Sequence, residues 1–373
     1  MTFFKQNYFI HLTALLVISL LTSSFTPSNS SNINNKKPSE KVEDKYITIK
    51  AVGDIVAGTN FPDYRLPRNV NQLFPKQVRD KLKNSDILFG NYESTLTNHP
   101  YTTKDITKGA VFAFRSPPEY ASLFSQVGFD VMSVANNHAM DFGRKGFSDT
   151  VNNLNTAGVK TVGAKNQILY TKVKNIPVAW IGFCFYEYCN TVQDIQKAKA
   201  LVKQARQKAK IVIISMHVGA EGSDALNVRN QTEYFYGENR GNSILFARSM
   251  VDAGADLILG HGPHVPRAME VYKGKFIAYS LGNFLGYKTF STTAEKGDSL
   301  ILEAKINQDG DFVSAKIDSI QLDKTGIPQV DKYGKTIDLV KSLTKRSFPN
   351  TKISISQKGE ISFSEQDVAR KKN

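Results

Sequence analysis

Six times between Ile47 and Phe284, a short run of Val, Ile, Leu or Phe stops at Asp, Glu, Asn or His. The runs are Ile47–Val52, Ile87–Phe89, Asp130–Val134, Ile211–Met216, Leu257–Leu259 and Phe276–Ser280, with a further run at Val178–Phe183. Continuous apolar runs of this length predict strands covered on both faces. Helical patterns lie between them. Ser116-Pro117-Pro118-Glu119 reads as an N-cap followed by proline, with Gly128 closing that helix. Asp194 to Lys210 repeats Ile195, Ala198, Val202, Ala205 and Ala209 on one face, and its lysines cover the other. Ser243 to Ala253 stops at Gly254. Alternating strands and helices predict an α/β fold. The turn Asn307-Gln-Asp-Gly310 between Ser299–Ile306 and Phe312–Leu322 predicts a hairpin added to the same domain. Residues 331–373 are polar and Lys-rich and read as a basic peripheral tail.

Ligands in open α/β sheets bind beyond the carboxyl ends of the strands. The runs end in Gly53-Asp54, in Asn91-Tyr92-Glu93, in Asn136-Asn137-His138 with Asp141 beyond, in His217 with Glu221 beyond, in Gly260-His261-Gly-Pro-His264 and in Gly282-Asn283. Four of the five histidines after His11 fall at these ends. Singly, each has a plainer reading. Gly-Asp is usually a turn, Glu93 could be a cap, His138 a bonded loop residue, and Gly262-Pro263 simple turn chemistry. Together they point to one convergent site. Asp54, Glu93, Asn137, His217, His261 and His264 supply mixed nitrogen and oxygen ligands, which suit manganese, iron or zinc better than calcium or magnesium. His138 is the candidate acid or base, with Asp141 and Glu221 to orient the histidines. Asn136, Arg144 and Asn283 are candidate substrate contacts. Pro263 fixes its own φ and biases Gly262 toward an extended backbone.

The N-terminus carries Lys5 and then the apolar stretch Leu12–Leu21, which is the plan of a signal peptide or membrane anchor over residues 1–25. Residues 26–45 are a polar linker. The globular part starts at Tyr46 and is expected to reach about residue 330. Cys184 and Cys189 are the only cysteines. They could close a small disulfide loop or stay reduced, and their number excludes a Cys-rich metal site. A net charge of +14 favours an acidic partner. No Arg-rich cluster interleaved with aromatics is present, so no nucleic-acid partner is expected. The polar segment Glu221–Gly241 lies beside the expected site, either as a source of substrate contacts or as a solvated loop.

The strings AVGDIVAG, LFGNYESTLT, SVANNHAMDFG, SMHVGAEG, DAGADLILGHGPHV and IAYSLGNFL, in this order from Ile47 to Leu285, resemble the CapA family of bacterial capsule synthesis proteins. That family is associated with poly-γ-glutamate and related to calcineurin-like metallophosphoesterases. The resemblance implies a two-sheet sandwich flanked by helices, in four layers αββα. It also implies one or two divalent ions and an exported protein acting on an anionic polymer, with a membrane synthase or export complex as partner. Residue by residue, Asp54 looks like the first metal-binding Asp, and Glu93 falls where a bridging Asp is placed. Asn137-His138 look like the Asn-His pair, His217 like the isolated ligand histidine, and His261 and His264 like the closing pair. Three departures stand out. Val56 occupies the histidine position of Asp-x-His, Glu93 is longer than Asp, and the closing pair is spaced by three. The other functions compatible with these residues are a secreted phosphoesterase or amidohydrolase, and a non-catalytic polymer-binding subunit.

Overall fold

The computed structural model describes residues 46–109 and 111–364. The export segment and linker expected over residues 1–45 lie outside the described residues. Two sheets carry the domain. The first runs in the order 353–355, 360–363, 312–322, 298–307, 46–56, 87–92, 131–133 and 160–162. The second runs 269–272, 275–278, 257–261, 211–217, 176–184 and 169–173. Strands 46–56, 87–92 and 131–133 are mutually parallel, as are 176–184, 211–217, 257–261 and 275–278.

The apolar runs explain the layering. In Ile211–His217, Ile213 faces the other sheet while Val212, Ile214 and Met216 face helices on the outer side. In Tyr46–Val56, Ile47, Ile49 and Ala51 face inward, and Val52 and Ile55 face outward. Alternate residues of one run therefore enter two different cores, so neither face can be polar. The middle core joins the sheets, with Phe89 stacked on Trp180 at 5.5 Å between ring centroids. Helices Ile195–Arg206 and Ser243–Ala253 cover the second sheet. Lys76–Leu82, Ala121–Val127 and Gly143–Thr156 cover the first. This is the four-layer αββα arrangement.

Helix ends follow local chemistry. The Asp194 and Asn242 side chains accept the N–H groups of Lys197 and Leu245, and Gly128 and Gly254 end their helices with positive φ. Ser116 is not the cap expected from Ser-Pro-Pro-Glu. Its hydroxyl donates to Gly58 O, and the α-helix begins only at Ala121, after a 3-10 turn. The expected hairpin forms over Asp298–Asn307 and Phe312–Leu322.

Of the segment read as a peripheral tail, the described residues 331–364 belong instead to the domain. Lys335–Ser347 is a helix that buries Ile337, Val340 and Leu343, while Ile353–Ile355 and Glu360–Phe363 extend the first sheet. Three apolar residues at helical spacing suffice to dock that helix, although three lysines and Arg346 share its thirteen residues. Cys184 and Cys189 form a disulfide with Cα atoms 5.9 Å apart. Among the described residues no helix is long and apolar enough to cross a membrane.

Candidate metal centre

The parallel strands of both sheets deliver their last residues to one place. Asp54 pairs in register with Asn91 on one side and Asn283 on the other, and His217 pairs with His261. Close backbone approach makes this possible. A Cβ on Gly53 would lie 1.9 Å from Gly282 O, so only glycine lets Asp54 enter here. Gly262 has φ +107, and a Cβ there would meet the His217 ring at 3.0 Å. The extended backbone expected before Pro263 is thus not adopted. His264 takes φ 58, a left-handed conformation rare outside glycine and typical of functional turns.

Asp54, Glu93 and His264 each place a ligand atom within 4.8 Å of the others. Glu93 Oε1 is 3.6 Å from His264 Nε2 and 3.8 Å from His217 Nε2. Asp54 Oδ1 accepts from Asn91 Nδ2 at 2.8 Å and lies 3.3 Å from His261 Nδ1. Asp54 Oδ2 lies 3.3 Å from His264 Nδ1. Asn283 Nδ2 donates to Lys296 O, so its Oδ1 is the atom facing His264 Nδ1, at 2.8 Å. His264 therefore carries its proton on Nδ1, and Nε2 is left as a ligand. His264 Nε2 also lies 3.8 Å from Glu221 Oε2, whose other oxygen accepts from Arg240 at 2.8 Å.

Both oxygens of Glu93, Nε2 of His217 and both ring nitrogens of His261 are buried without a hydrogen bond. Buried polar atoms are normally satisfied, and each orphan costs about 1–3 kcal/mol. Two carboxylates and several imidazoles left open to one another fit a divalent cation. Electrostatics agree. Burial and the charge of Asp54 push Glu93 well above the usual carboxylate range. Burial would also raise Asp54, but the imidazoles of His261 and His264 outweigh it and hold Asp54 low. Burial lowers His217. It would lower His264 too, yet Glu93 and Asp54 push that residue up to about 10.

His138 stands beside this centre. Its Nδ1 is 2.8 Å from Asp141 Oδ2, which also accepts the Phe114 N–H at 2.7 Å. Lys104 Nζ lies 2.6 Å from Asp141 Oδ1, and the Phe114 ring lies 4.5 Å from the imidazole. Asp141 thus fixes the ring and leaves Nε2 to exchange a proton. Burial lowers the His138 pKa against the opposing pull of Asp141.

Other expected residues have different places. Asn137 has a buried, unpartnered Oδ1, the state of an unused ligand atom. Asn136 is not available to substrate. Its Nδ2 donates to Asn91 Oδ1 at 3.1 Å and Tyr92 O at 2.8 Å, and its Oδ1 accepts the His138 N–H. Asn283 orients His264, as described above. Arg144 is exposed on the first turn of helix Gly143–Thr156, with no contact to the centre. Val56 is fully buried. The segment 221–241 is anchored, since Glu233 accepts two bonds from buried Arg267, at 3.0 and 2.8 Å. Lys104, Arg240 and Phe114 carry no signal in the sequence. Asn91 does, as a polar residue at a strand end, but Glu93 two residues later draws the attention.

Residues 48–288 match the model of the family described as Bacterial capsule synthesis protein PGA_cap. The chain is similar to the PGA biosynthesis protein CapA of Bacillus subtilis, at 29% identity over 82% of this chain and 79% of that one. It is also similar to the capsule biosynthesis protein CapA of Bacillus anthracis, at 28% identity over 73% of this chain and 67% of that one. Among solved structures, the 5'-nucleotidase precursor of Thermus thermophilus aligns at 14% identity and a TM-score of 0.43, covering 82% of this chain and 59% of that one.

Proposed function

The chain belongs to the family of bacterial capsule synthesis proteins, and from that premise we propose that it acts in making or exporting an anionic poly-γ-glutamate capsule. The observation that carries a chemical role is the set of unpartnered buried atoms on Glu93, His217 and His261. Asp54, Glu93, Asn137, His217, His261 and His264 would hold manganese, iron or zinc. When bound, such an ion supplies Lewis-acid polarisation of an amide or phosphoryl oxygen. The chain's own residues do the rest. Asp141 keeps the His138 proton on Nδ1 and turns Nε2 toward the reacting group as acid or base. Asn283 keeps the His264 proton on Nδ1. Glu221, at the rim and paired with Arg240, borders the position that substrate would take. Lys5 and the apolar stretch Leu12–Leu21 support export, and an exported site would work on the polymer's side of the membrane, with a membrane synthase or export complex as its partner.

The test uses a capsule-forming host lacking its own member of this family. Wild-type chain should restore extractable poly-γ-glutamate, and Glu93→Gln at equal expression should not. Full restoration by Glu93→Gln would overturn the metal-dependent role. Metal-dependent turnover of phosphodiesters by the purified chain, with no effect on polymer in the host, would replace the capsule reading by a secreted phosphoesterase.

A further inference from the structure

We infer that the centre holds one divalent ion, not two, and that Asn91 is the residue that fixes this number. The inference rests on the metal-dependent reading above. Two cations about 3.5–4 Å apart repel strongly, and such centres need anionic oxygen between them. Glu93, placed by the resemblance at the bridging position, instead sets its Oε1 3.6 and 3.8 Å from the Nε2 atoms of His264 and His217, so the position left to supply it is the end of strand Ile87–Tyr92, in register with Asp54. Asn91 stands there, as a neutral amide. Its Nδ2 donates to Asp54 Oδ1 at 2.8 Å, so N–H hydrogens, not lone pairs, face the Asp54 carboxylate, and the amide would offer a second ion no anionic oxygen there.

The amide cannot simply turn over. Asn91 Oδ1 accepts from Asn136 Nδ2 at 3.1 Å, and that same Nδ2 donates to Tyr92 O at 2.8 Å. A turned Asn91 would set two NH2 groups against each other and present its oxygen to a carboxylate. The Asn91 Nδ2 also faces His217 Nδ1 at 3.5 Å, too long a contact to dictate that ring's tautomer. Two residues further along the strand from Asp54, fully buried Val56 offers only methyl groups.

Donors for one ion are present. Asp54, Glu93 and His264 approach within 4.8 Å of one another. The 3.6 and 3.8 Å separations from Glu93 Oε1 to the imidazoles of His264 and His217 are those of ligands sharing one ion at bonds of about 2.1 Å. Charge agrees with this. Asp54 and Glu93 balance one divalent ion, whereas a second would leave two uncompensated charges among fully buried groups.

The test counts metal. The purified chain is saturated with manganese or zinc, freed of unbound ion and measured by elemental analysis. One ion per chain is expected for wild type, and two for Asn91→Asp combined with Val56→His. A wild-type count of two overturns the inference while leaving the metal centre standing. A count of zero overturns the metal centre itself. Because the wild-type count decides, a variant that failed to fold would not rescue the claim. Asn91→Asp alone, verified by circular dichroism, should bind the first ion at least as tightly as wild type, and weakened binding of that ion would also count against the inference.

Discussion

The parallel strands carry carboxylates at both ends, and the two ends are treated differently. At the amino ends, Asp86, Asp130 and Asp256 each precede a strand and accept an N–H of the neighbouring strand, from Thr48, Leu88 and Val212, all at 2.8 Å. Asp256 is further paired with Arg206 at 2.6 Å and Lys275 at 2.8 Å. At the carboxyl ends, Glu93 is as buried as Asp256, yet neither of its oxygens has a hydrogen bond. Asp256 and Glu93 are alike in burial. Completion by the chain itself separates a carboxylate that builds the sheet from one that awaits a ligand.

The sharpest way to break this contrast is to remove one carboxylate from each end. Asp256→Ala leaves the Val212 N–H and two cations without their partner. Lys275 keeps Asp311 at 2.9 Å and Arg206 keeps the Gly254 carbonyl at 2.6 Å, so the loss falls at the lower end for broken buried pairs, about 3 kcal/mol. Urea unfolding should show it, with metal affinity unchanged in the folded protein. Glu93→Gln should do the reverse. It replaces a buried carboxyl that makes no hydrogen bond, so metal-free stability near pH 8 should fall far less than in Asp256→Ala. Affinity for manganese or zinc, read by calorimetry, should drop about 100-fold, or about 2.7 kcal/mol. Equal stability losses in the two variants would erase the distinction.

Much of this contrast was legible in the sequence. Continuous runs such as Ile211–Met216 announce strands, and a polar residue within a few positions after such a run lies at the carboxyl end. That reasoning puts Asp54, Glu93, His217, His261 and His264 at the carboxyl ends, where the strand register has Asp54, His217 and His261. The side-chain assignments were less legible. Asn136 and Asn137 are adjacent and chemically identical, and only the fold shows that Asn136 is consumed by Asn91 and Tyr92. Lys104 comes from a stretch without periodicity and reaches Asp141 through tertiary contact alone. The docked helix Lys335–Ser347 was hidden because its three buried apolar residues sit among lysines.

The carboxyl-end cluster should also respond to pH. Burial and Asp54 raise Glu93 above its ordinary value of 4.5. Glu93 and Asp54 raise His264 from 6.5 to about 10, against the lowering effect of burial. Both groups bind protons more tightly folded than unfolded. Their contribution is present below the unfolded values and is lost as pH rises through the folded ones, so metal-free stability should decline above about pH 4.5. Asp54 is depressed and loses its contribution only in stronger acid. A bound cation must displace the two protons, so affinity should rise with pH, by up to about tenfold per unit for each proton released. Urea midpoints at pH 6 and pH 9, with chelator and with manganese, check both slopes. A metal-induced stabilisation independent of pH would show that neither proton is displaced.

The smallest effect tests how firmly the carboxyl-end ligands are aimed. Asn283 accepts the His264 Nδ1 proton at 2.8 Å, and partners of this kind typically contribute 10–100-fold to metal affinity. Asp54 Oδ2 lies 3.3 Å from the same nitrogen and can take the proton over. Asn283→Ala should therefore cost about tenfold, the lower end of that range, while His264→Ala should cost far more. Asn283→Asp keeps an acceptor at the same reach and should recover most of the loss. If Asn283→Ala binds metal like wild type, Asp54 alone holds the imidazole. If Asn283→Asp fails to recover, the asparagine acts through Lys296 and its loop instead of through the histidine.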